Sequence, residues 1–223
     1  MQFVEVMKEL EKLGTAQNRK VYARHGVGEQ MFGVSYANQG KLQKKLKTDH
    51  ALALQLWDSG IHDARVLATM IADPAALTSR VLDEWSKALD NYVLTDAFSK
   101  MAGQSQYAEQ KMRKWIKSKD EWIGTAGWTL VSLLAMRDDK SNNGFLEELV
   151  PMIEAKIHQS KNRVRYAMNN ALIAIGMRSA KLEKLAIAAA KRIGTVEVDH
   201  GETNCKTPEA VAYIKRARAR QKR

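Results

Sequence analysis

Two side chains near the middle of the chain, Tyr92 and Asp96, have the types and the spacing of a chemical site. They are four residues apart within the stretch 89–98, so on a helix they lie on one face. An aromatic ring beside a carboxylate, set among basic helices, is suited to hold a cationic base of a nucleic acid. The same spacing is typical of two partly exposed residues on an ordinary amphipathic helix, so spacing alone leaves both interpretations open.

The net charge of the chain limits the classes of partner that it is expected to bind. Among its 223 residues, 36 Lys and Arg stand against 25 Asp and Glu, a formal net charge of +11. Such an excess suits nucleic acid, an anionic membrane surface or an acidic protein. No stretch combines a strong amphipathic pattern with a terminal anchor, so nucleic acid is the first choice and no membrane partner is expected.

The single cysteine, Cys205, leaves no intrachain disulfide and favours a reducing cytoplasm. No apolar run reaches the roughly 18 residues that cross a bilayer, and residues 1–5 do not resemble a signal peptide. No phosphate loop, serine elbow or dinucleotide motif occurs. We therefore expect a cytoplasmic monomer that needs no cofactor.

The elements that would position Tyr92 and Asp96 are helices. Only three prolines occur, and alanine, leucine, lysine and glutamate are frequent, which favours helix. Apolar spacing and capping residues predict helices over 3–14, 16–24, 35–47, 49–60, 64–73, 78–85, 89–102, 106–118, 120–136, 145–158, 161–177, 180–193 and from 207. Residues 25–34, with three glycines, and 138–143 are predicted loops.

The end of the chain is predicted to differ from the rest. Residues 194–208 read as an irregular arm in which a short strand at 196–198 is one option. The last helix is expected to use Thr207 as its N-cap and Pro208 as its first residue, and to continue into a basic tail to residue 223.

Helix pairs recur with a period of roughly 35–45 residues and are joined by short turns. This rhythm predicts one domain over 1–223, an all-α solenoid of antiparallel helical repeats with a concave binding face.

Several short segments together resemble the DNA alkylation repair family, alkylpurine DNA glycosylases built from HEAT-like repeats. The resembling segments are 31–35 (MFGVS), 53–60 (ALQLWDSG), 62–68 (HDARVLA), 89–98, 121–123 (EWI) and 198–208 (VDHGETNCKTP). They span most of the chain. The resemblance implies a right-handed α-superhelix of HEAT-like repeats that holds duplex DNA on a basic concave surface.

The resemblance also implies a reaction, release of cationic N3- or N7-alkylated purines by cleavage of the glycosidic bond. Asp96 matches the family's catalytic aspartate, which would stabilise the oxocarbenium-like sugar as the bond breaks. Tyr92 stands where the family commonly has tryptophan and would contact the cationic base or sugar. Two family positions depart from the pattern: Gly124-Thr125 replace an arginine, and Asn170 replaces an aromatic residue.

Basic residues cluster outside the stretch 89–98. Residues 161–192 contain eight Lys and Arg with one acid, and residues 107–119 contain five with one acid. Such clusters neutralise DNA phosphates when they face the groove, and are otherwise solvated helix faces. We predict DNA contacts at Lys44, Lys45, Arg113, Lys114, Trp128, Arg163, Arg165 and Tyr166, with Trp128 or Tyr166 as a replacement for the absent aromatic residue.

No metal site is predicted. His200, Glu202 and Cys205 lie close together in the sequence, but no further cysteine or histidine is nearby to complete four ligands. Residues around them are expected to satisfy backbone groups of the arm instead.

Three functions are consistent with these features. The first is a DNA repair glycosylase acting on duplex DNA that carries alkylated purines. The second is a non-catalytic scaffold that binds DNA structures after losing the site, and the third is a repeat module for an acidic protein partner.

Overall fold

The computed structural model describes residues 1–137 and 143–221, and these form helices joined by turns, with no β-strand among them. The α-helices are Phe3–Leu13 (α1), Ala16–Arg24 (α2), Tyr36–Leu46 (α3), His50–Asp58 (α4), His62–Ile71 (α5), Ser79–Ser86 (α6), Tyr92–Ala102 (α7), Ala108–Trp115 (α8), Glu121–Ala135 (α9), Asn143–Lys156 (α10), Asn162–Arg178 (α11), Ala180–Ile193 (α12) and Ala210–Gln221 (α13). The predicted all-α class is confirmed. None of these helices is long and apolar enough to span a membrane.

Helix starts follow the capping residues that the sequence offers. The side chains of Ser35, Asp49 and Thr78 accept hydrogen bonds from backbone N–H groups in the first turns of α3, α4 and α6. Each of these bonds satisfies an N–H that has no partner inside the helix. Most of the predicted helix ends differ from the observed ones by a few residues.

Two expectations at the end of the chain are wrong. Residues 196–198 form no strand. The last helix begins at Ala210, because both carboxylate oxygens of Glu209 accept hydrogen bonds from the N–H groups of Val211 and Ala212. Thr207 bonds to His200 instead of capping the helix. Of the predicted polar loop 138–143, residues 138–142 lie outside the described part of the chain.

The chain divides into two compact units. Unit 1 comprises Met1–Ala108 with Gly201–Thr203, and unit 2 comprises Glu109–His200 with Asn204–Arg223. Each unit has its own core. The single domain over 1–223 stays a prediction.

In unit 1, α5 packs against α3, α4 and α7. The indole rings of Trp57 and Trp85 stack in parallel with centroids 4.1 Å apart, and the ring of Phe98 on α7 lies 6.1 Å from Trp57. These aromatic side chains are buried, so they hold α7 firmly against the helices before it.

In unit 2, α11 is the central helix and packs against α9, α12 and α13. Glycines allow the closest approaches. A Cβ on Gly127 of α9 would lie 2.5 Å from the backbone nitrogen of Ile116, just after α8, and a Cβ on Gly176 of α11 would lie 2.7 Å from Ile214 Cδ1. These contacts fix α8 on α9 and α13 on α11.

Candidate nucleic-acid interface

Tyr92 and Asp96 are positioned by the first turns of α7. The Asn91 side chain accepts a hydrogen bond from the N–H of Leu94, which caps the helix at Tyr92. Asn91 and Thr95 are buried, whereas Tyr92 is half-buried and Asp96 is exposed. The predicted helix is therefore present, and it places both side chains away from the core.

The loop that follows α2 is held in place by one carboxyl group, that of Asp63. Its two oxygens accept hydrogen bonds from the backbone N–H groups of Phe32 (2.6 Å), Gly33 (3.2 Å) and Val34 (2.6 Å). Gly33 has φ +83°, a conformation that glycine adopts without the strain of a side chain. Asp63 itself is fully buried, so these three bonds are what compensate its removal from water.

This loop brings a histidine to Tyr92. An imidazole nitrogen of His25 hydrogen-bonds to the Tyr92 hydroxyl, and the two rings meet edge to face with centroids 5.7 Å apart. Beside them, the Tyr22 hydroxyl donates to the carbonyl of Val34 at 2.6 Å. Sequence reasoning missed His25, because its partner lies 67 residues further along the chain.

A second missed residue, Tyr36, lies beside Asp96. Although Tyr36 is 46% exposed, partial desolvation raises its pKa to about 12, and the ionisation of Tyr22 and the negative charges of Asp96 and Asp63 add to the effect. Burial likewise raises the pKa of Tyr22 to about 12, with the nearby Asp63 contributing. Both phenols therefore remain protonated at neutral pH, where they act as neutral hydrogen-bond donors.

Together these side chains give unit 1 an exposed carboxylate, Asp96, with the rings of Tyr92 and Tyr36 near it. The Asp96 carboxylate is exposed, and Tyr92 is the ring fixed one turn before it. Such a group attracts a cation through both its charge and its ring faces. His62, buried next to Tyr22, has its pKa lowered mainly by burial, so it adds no positive charge at neutral pH.

The two departures from the family pattern lie in unit 2. Gly124 and Thr125 are both buried on α9, and a Cβ on Gly124 would lie 3.2 Å from Val164 Cγ2 of α11. The position of the family's arginine is thus filled by helix packing. Even a Cβ there would require Val164 to shift by a few tenths of an ångström, so the position has little room for a long cationic side chain.

Neither aromatic candidate is a free ring that replaces the absent one. Trp128 is only 2% exposed, so its prediction as a DNA contact needs correction: the indole fills the core of unit 2. The half-buried ring of Tyr166 already has two neighbours, the guanidinium of Arg163 at 4.7 Å and the imidazole of His200, edge-on at 5.4 Å.

The predicted basic contacts differ in how they are held. Lys44 and Lys45 are exposed in the last turn of α3, and Lys114 is exposed in the last turn of α8. Arg113 is fixed by Glu109, whose Oε1 accepts from its Nη2 at 2.7 Å, and by the ring of Phe145 at 3.7 Å. Its guanidinium is therefore preorganised.

Arg163 and Arg165 lie in the first turn of α11. The backbone N–H of Arg163 donates to Glu121 Oε1 at 2.7 Å, which ties the start of α11 to the start of α9. The arm is fixed to the same turn, because Asn162 donates to the carbonyl of Asp199 and accepts from its N–H.

Within the described residues, no three His, Cys, Asp or Glu side chains gather as a metal ion would require.

The two units differ strongly in formal charge. Unit 1 carries 13 Lys and Arg against 13 Asp and Glu, so its formal charge is zero. Unit 2 carries 23 against 12, an excess of 11, which equals the net charge of the whole chain. The attraction for a polyanion therefore originates in unit 2.

Comparison with known proteins agrees with this geometry. A family model described as "DNA alkylation repair enzyme" matches residues 6–214. Uncharacterized proteins of Listeria innocua and Listeria monocytogenes are 28% and 27% identical over 98% and 99% of this chain, and over the same shares of their own lengths.

A solved structure is similar over nearly the whole chain, with a TM-score of 0.89, 32% identity, and coverage of 99% of this chain and 95% of that one. It is described as a new family of proteins related to the HEAT-like repeat DNA glycosylases with affinity for branched DNA structures. The family resemblance and the HEAT-like helical fold inferred from sequence are both confirmed.

Proposed function

The chain belongs to the DNA alkylation repair enzyme family, and we propose that it binds DNA through the basic surface of unit 2, with a preference for branched structures. The observation that carries the proposal is the charge excess of 11 confined to unit 2. Charge of this size neutralises phosphates, releases counterions and gives affinity that does not depend on sequence.

Named side chains support phosphate contacts. Arg113 and Lys114 lie in the last turn of α8, and Arg163 and Arg165 lie in the first turn of α11. Arg113 is held in position by Glu109 and Phe145, so a phosphate that binds it costs little side-chain entropy. We include Lys44 and Lys45 of unit 1 as additional contacts, because α3 has no acidic residue beside its lysines.

Two observations favour recognition of DNA structure over cleavage of a bond. The family's arginine position is occupied by the buried pair Gly124-Thr125, and both candidate replacement rings, Trp128 and Tyr166, are engaged inside unit 2. A relative at 32% identity is described by its affinity for branched DNA. This chain is proposed to share that affinity, as a monomer.

The test measures the affinity of the protein for a four-way junction and for a linear duplex of equal length. Fluorescence anisotropy gives each affinity at salt concentrations between about 50 and 200 mM. We expect tighter binding of the junction, and affinity that falls by a factor of about 10³ or more for either DNA over this range. Equal affinity for the two DNAs would contradict the structural preference. Absence of binding at the lowest salt would contradict DNA binding altogether and favour an acidic protein partner.

The second candidate function is excision of cationic N3- or N7-alkylated purines, and it is favoured by Asp96. Its carboxylate is exposed, with Tyr92 one turn before it, and Tyr92 is fixed by His25. An alkylated purine is a good leaving group, so a fixed carboxylate that stabilises the cationic sugar supplies the main catalytic need.

Excision is tested on methylated DNA by release of 3-methyladenine and 7-methylguanine. If the base is released, Asp96→Asn should lower the rate by at least about 100-fold and leave DNA affinity within about 2-fold, since the carboxylate acts on the developing charge. Asp58→Asn, which neutralises another exposed helical aspartate of unit 1, is the control and should keep the full rate. No release by the unmodified protein would remove this candidate.

A further inference from the structure

The outer face of α13 carries one aromatic ring and two guanidinium groups that the core of unit 2 does not use. The inner face is anchored: Ala210 and Ile214 are buried, and Arg218, one turn further, donates to Glu183 Oε2 at 3.1 Å and to the carbonyl of Met177 at 3.2 Å. The helix is therefore rigidly docked, and its exposed side is held in a fixed orientation.

The exposed side carries Tyr213, Arg216 and Arg220 at the spacing i, i+3, i+7. Tyr213 is 40% exposed, and the guanidinium carbon of Arg216 lies 5.7 Å from its ring centroid. Among the described residues, neither Arg216 nor Arg220 has an acidic partner, in contrast to Arg218. The residues of α13 include no acid at all.

These three side chains line a recess. With Met177, Ala217 and Gln221 they border an open depression of about 410 Å³ between α13 and the last turn of α11. Its sides thus combine two cations and an aromatic ring with two apolar side chains. This volume lies within the range of roughly 300–1,000 Å³ that is typical of small-molecule pockets.

We propose that this recess binds one nucleotide of an unpaired DNA strand, with its base on Tyr213 and Met177 and its phosphates on Arg216 and Arg220. Guanidinium groups beside an exposed ring are the combination that single-strand binding proteins use, because every base has a π face and every phosphate a charge. Duplex DNA cannot use the ring, since its bases are stacked on each other. The site thus recognises unpaired nucleotides at the branch of a DNA structure, and it rests on the proposed binding of branched DNA.

The experiment compares three DNAs of identical duplex sequence: a blunt duplex, the same duplex with a five-nucleotide single-stranded flap, and the flap strand alone. We expect the unmodified protein to bind the flapped duplex more tightly than the blunt one. Tyr213→Ala should weaken binding of the flapped duplex by about 10-fold and of the blunt duplex by less than about 2-fold, because only the stacked base is lost. Tyr213→Phe keeps the ring and should bind both DNAs as the unmodified protein does.

The charged half of the site is tested with Arg216→Gln and Arg220→Gln combined. We expect the flapped duplex to lose its advantage over the blunt one, whereas Lys8→Gln with Lys12→Gln, which removes two exposed charges from α1, should preserve that advantage. Equal losses on both DNAs would overturn the proposal and make α13 a general phosphate contact, and unchanged binding would overturn it outright. A further control adds either an oligo-glutamate peptide or the flap strand as a competitor of the flapped duplex. If the peptide displaces the duplex as well as the flap strand does, the recess binds an acidic protein segment and the proposal is overturned.

The outcome for this site is distinguishable from that for the proposed function. If the unmodified protein binds neither duplex, DNA binding itself fails. If it binds the blunt duplex and the flap adds nothing, DNA binding stands and the nucleotide site on α13 is refuted.

Discussion

Unit 1 and unit 2 have similar helical construction but opposite electrostatic character. Unit 1 is neutral, and it contains the cluster of ionisable side chains His25, Tyr36, Tyr92 and Asp96. Unit 2 has an excess of 11 positive charges, and two of its tryptophans, Trp115 and Trp128, are buried in its core. The difference separates the two proposals: DNA binding rests on the charge of unit 2, whereas the second candidate, base excision, rests on Asp96 in unit 1. Substitutions in one unit should therefore change one property and spare the other.

The largest expected effect is structural and confined to unit 1. Asp63→Asn replaces an acceptor of three backbone N–H groups with an amide that also presents a donor to them. We expect a loss of about 2–4 kcal/mol in the free energy of unfolding, measured by urea denaturation, since hydrogen bonds to a charged acceptor are among the strongest in proteins.

Hydrogen exchange shows whether this effect stays in its unit. Amides 32–34 should exchange faster in Asp63→Asn, while those of α11 keep their protection. The matched control is Asp58→Asn, an exposed position where we expect a change within about 0.5 kcal/mol. Equal loss of protection throughout the chain would show that the two units unfold together.

The second prediction concerns affinity. Lys114→Gln with Lys117→Gln removes two exposed charges from unit 2, and Lys44→Gln with Lys45→Gln removes two from unit 1. At about 100 mM salt we expect the unit 2 pair to weaken duplex binding by about 10-fold and to reduce the salt slope by about 1–2, because phosphate contacts are lost. The unit 1 pair should cost about 3-fold, and a larger loss there than in unit 2 would reverse the assignment of affinity to unit 2.

The third prediction concerns the His25–Tyr92 contact, which connects the loop after α2 to α7. In a double-mutant cycle with His25→Ala and Tyr92→Phe, we expect a coupling free energy of about 1 kcal/mol, as for one partly buried hydrogen bond. The readout is the free energy of unfolding for all four proteins. DNA affinity should be unchanged in each, and a coupling near zero would mean that Tyr92 is oriented by α7 alone.

Features of the fold that depend on neighbours in sequence could be predicted from the sequence. Ser35 and Asp49 stand directly before apolar helical patterns, so the starts of α3 and α4 follow from local chemistry. The helix that carries Tyr92 and Asp96 follows in the same way. The start of α13 does not, because Thr207 is the better N-cap by residue type, and only the folded chain shows that it bonds to His200 while the Glu209 carboxylate accepts from the first N–H groups of the helix.

Features of the site that depend on distant partners could not be predicted. Asp63 resembles any acidic residue in the first turn of a helix, and its bonds to residues about 30 positions earlier exist only in the folded chain. Trp128 was predicted to contact DNA but is buried in the core. The sequence could not show this, because an aromatic residue at an apolar helical position can equally line a groove or fill a core. Periodicity distinguishes a helix from a strand, but it does not reveal which neighbour covers the apolar face.

The smallest expected effect is a late titration of Tyr22 and Tyr36 in unit 1. Their pKa values are raised to about 12, so in the folded protein these phenols ionise about two pH units later than in the unfolded chain. Folding then retains protons that unfolding releases, so their contribution to stability is complete below about pH 10 and is lost as the pH rises through 12. Ultraviolet absorbance of tyrosinate should show this late component, reduced in Tyr22→Phe and again in Tyr36→Phe. If both variants keep its full amplitude, the aromatic cluster beside Asp96 is open to water, and unit 1 lacks the partly desolvated surroundings that distinguish it from the solvated basic surface of unit 2.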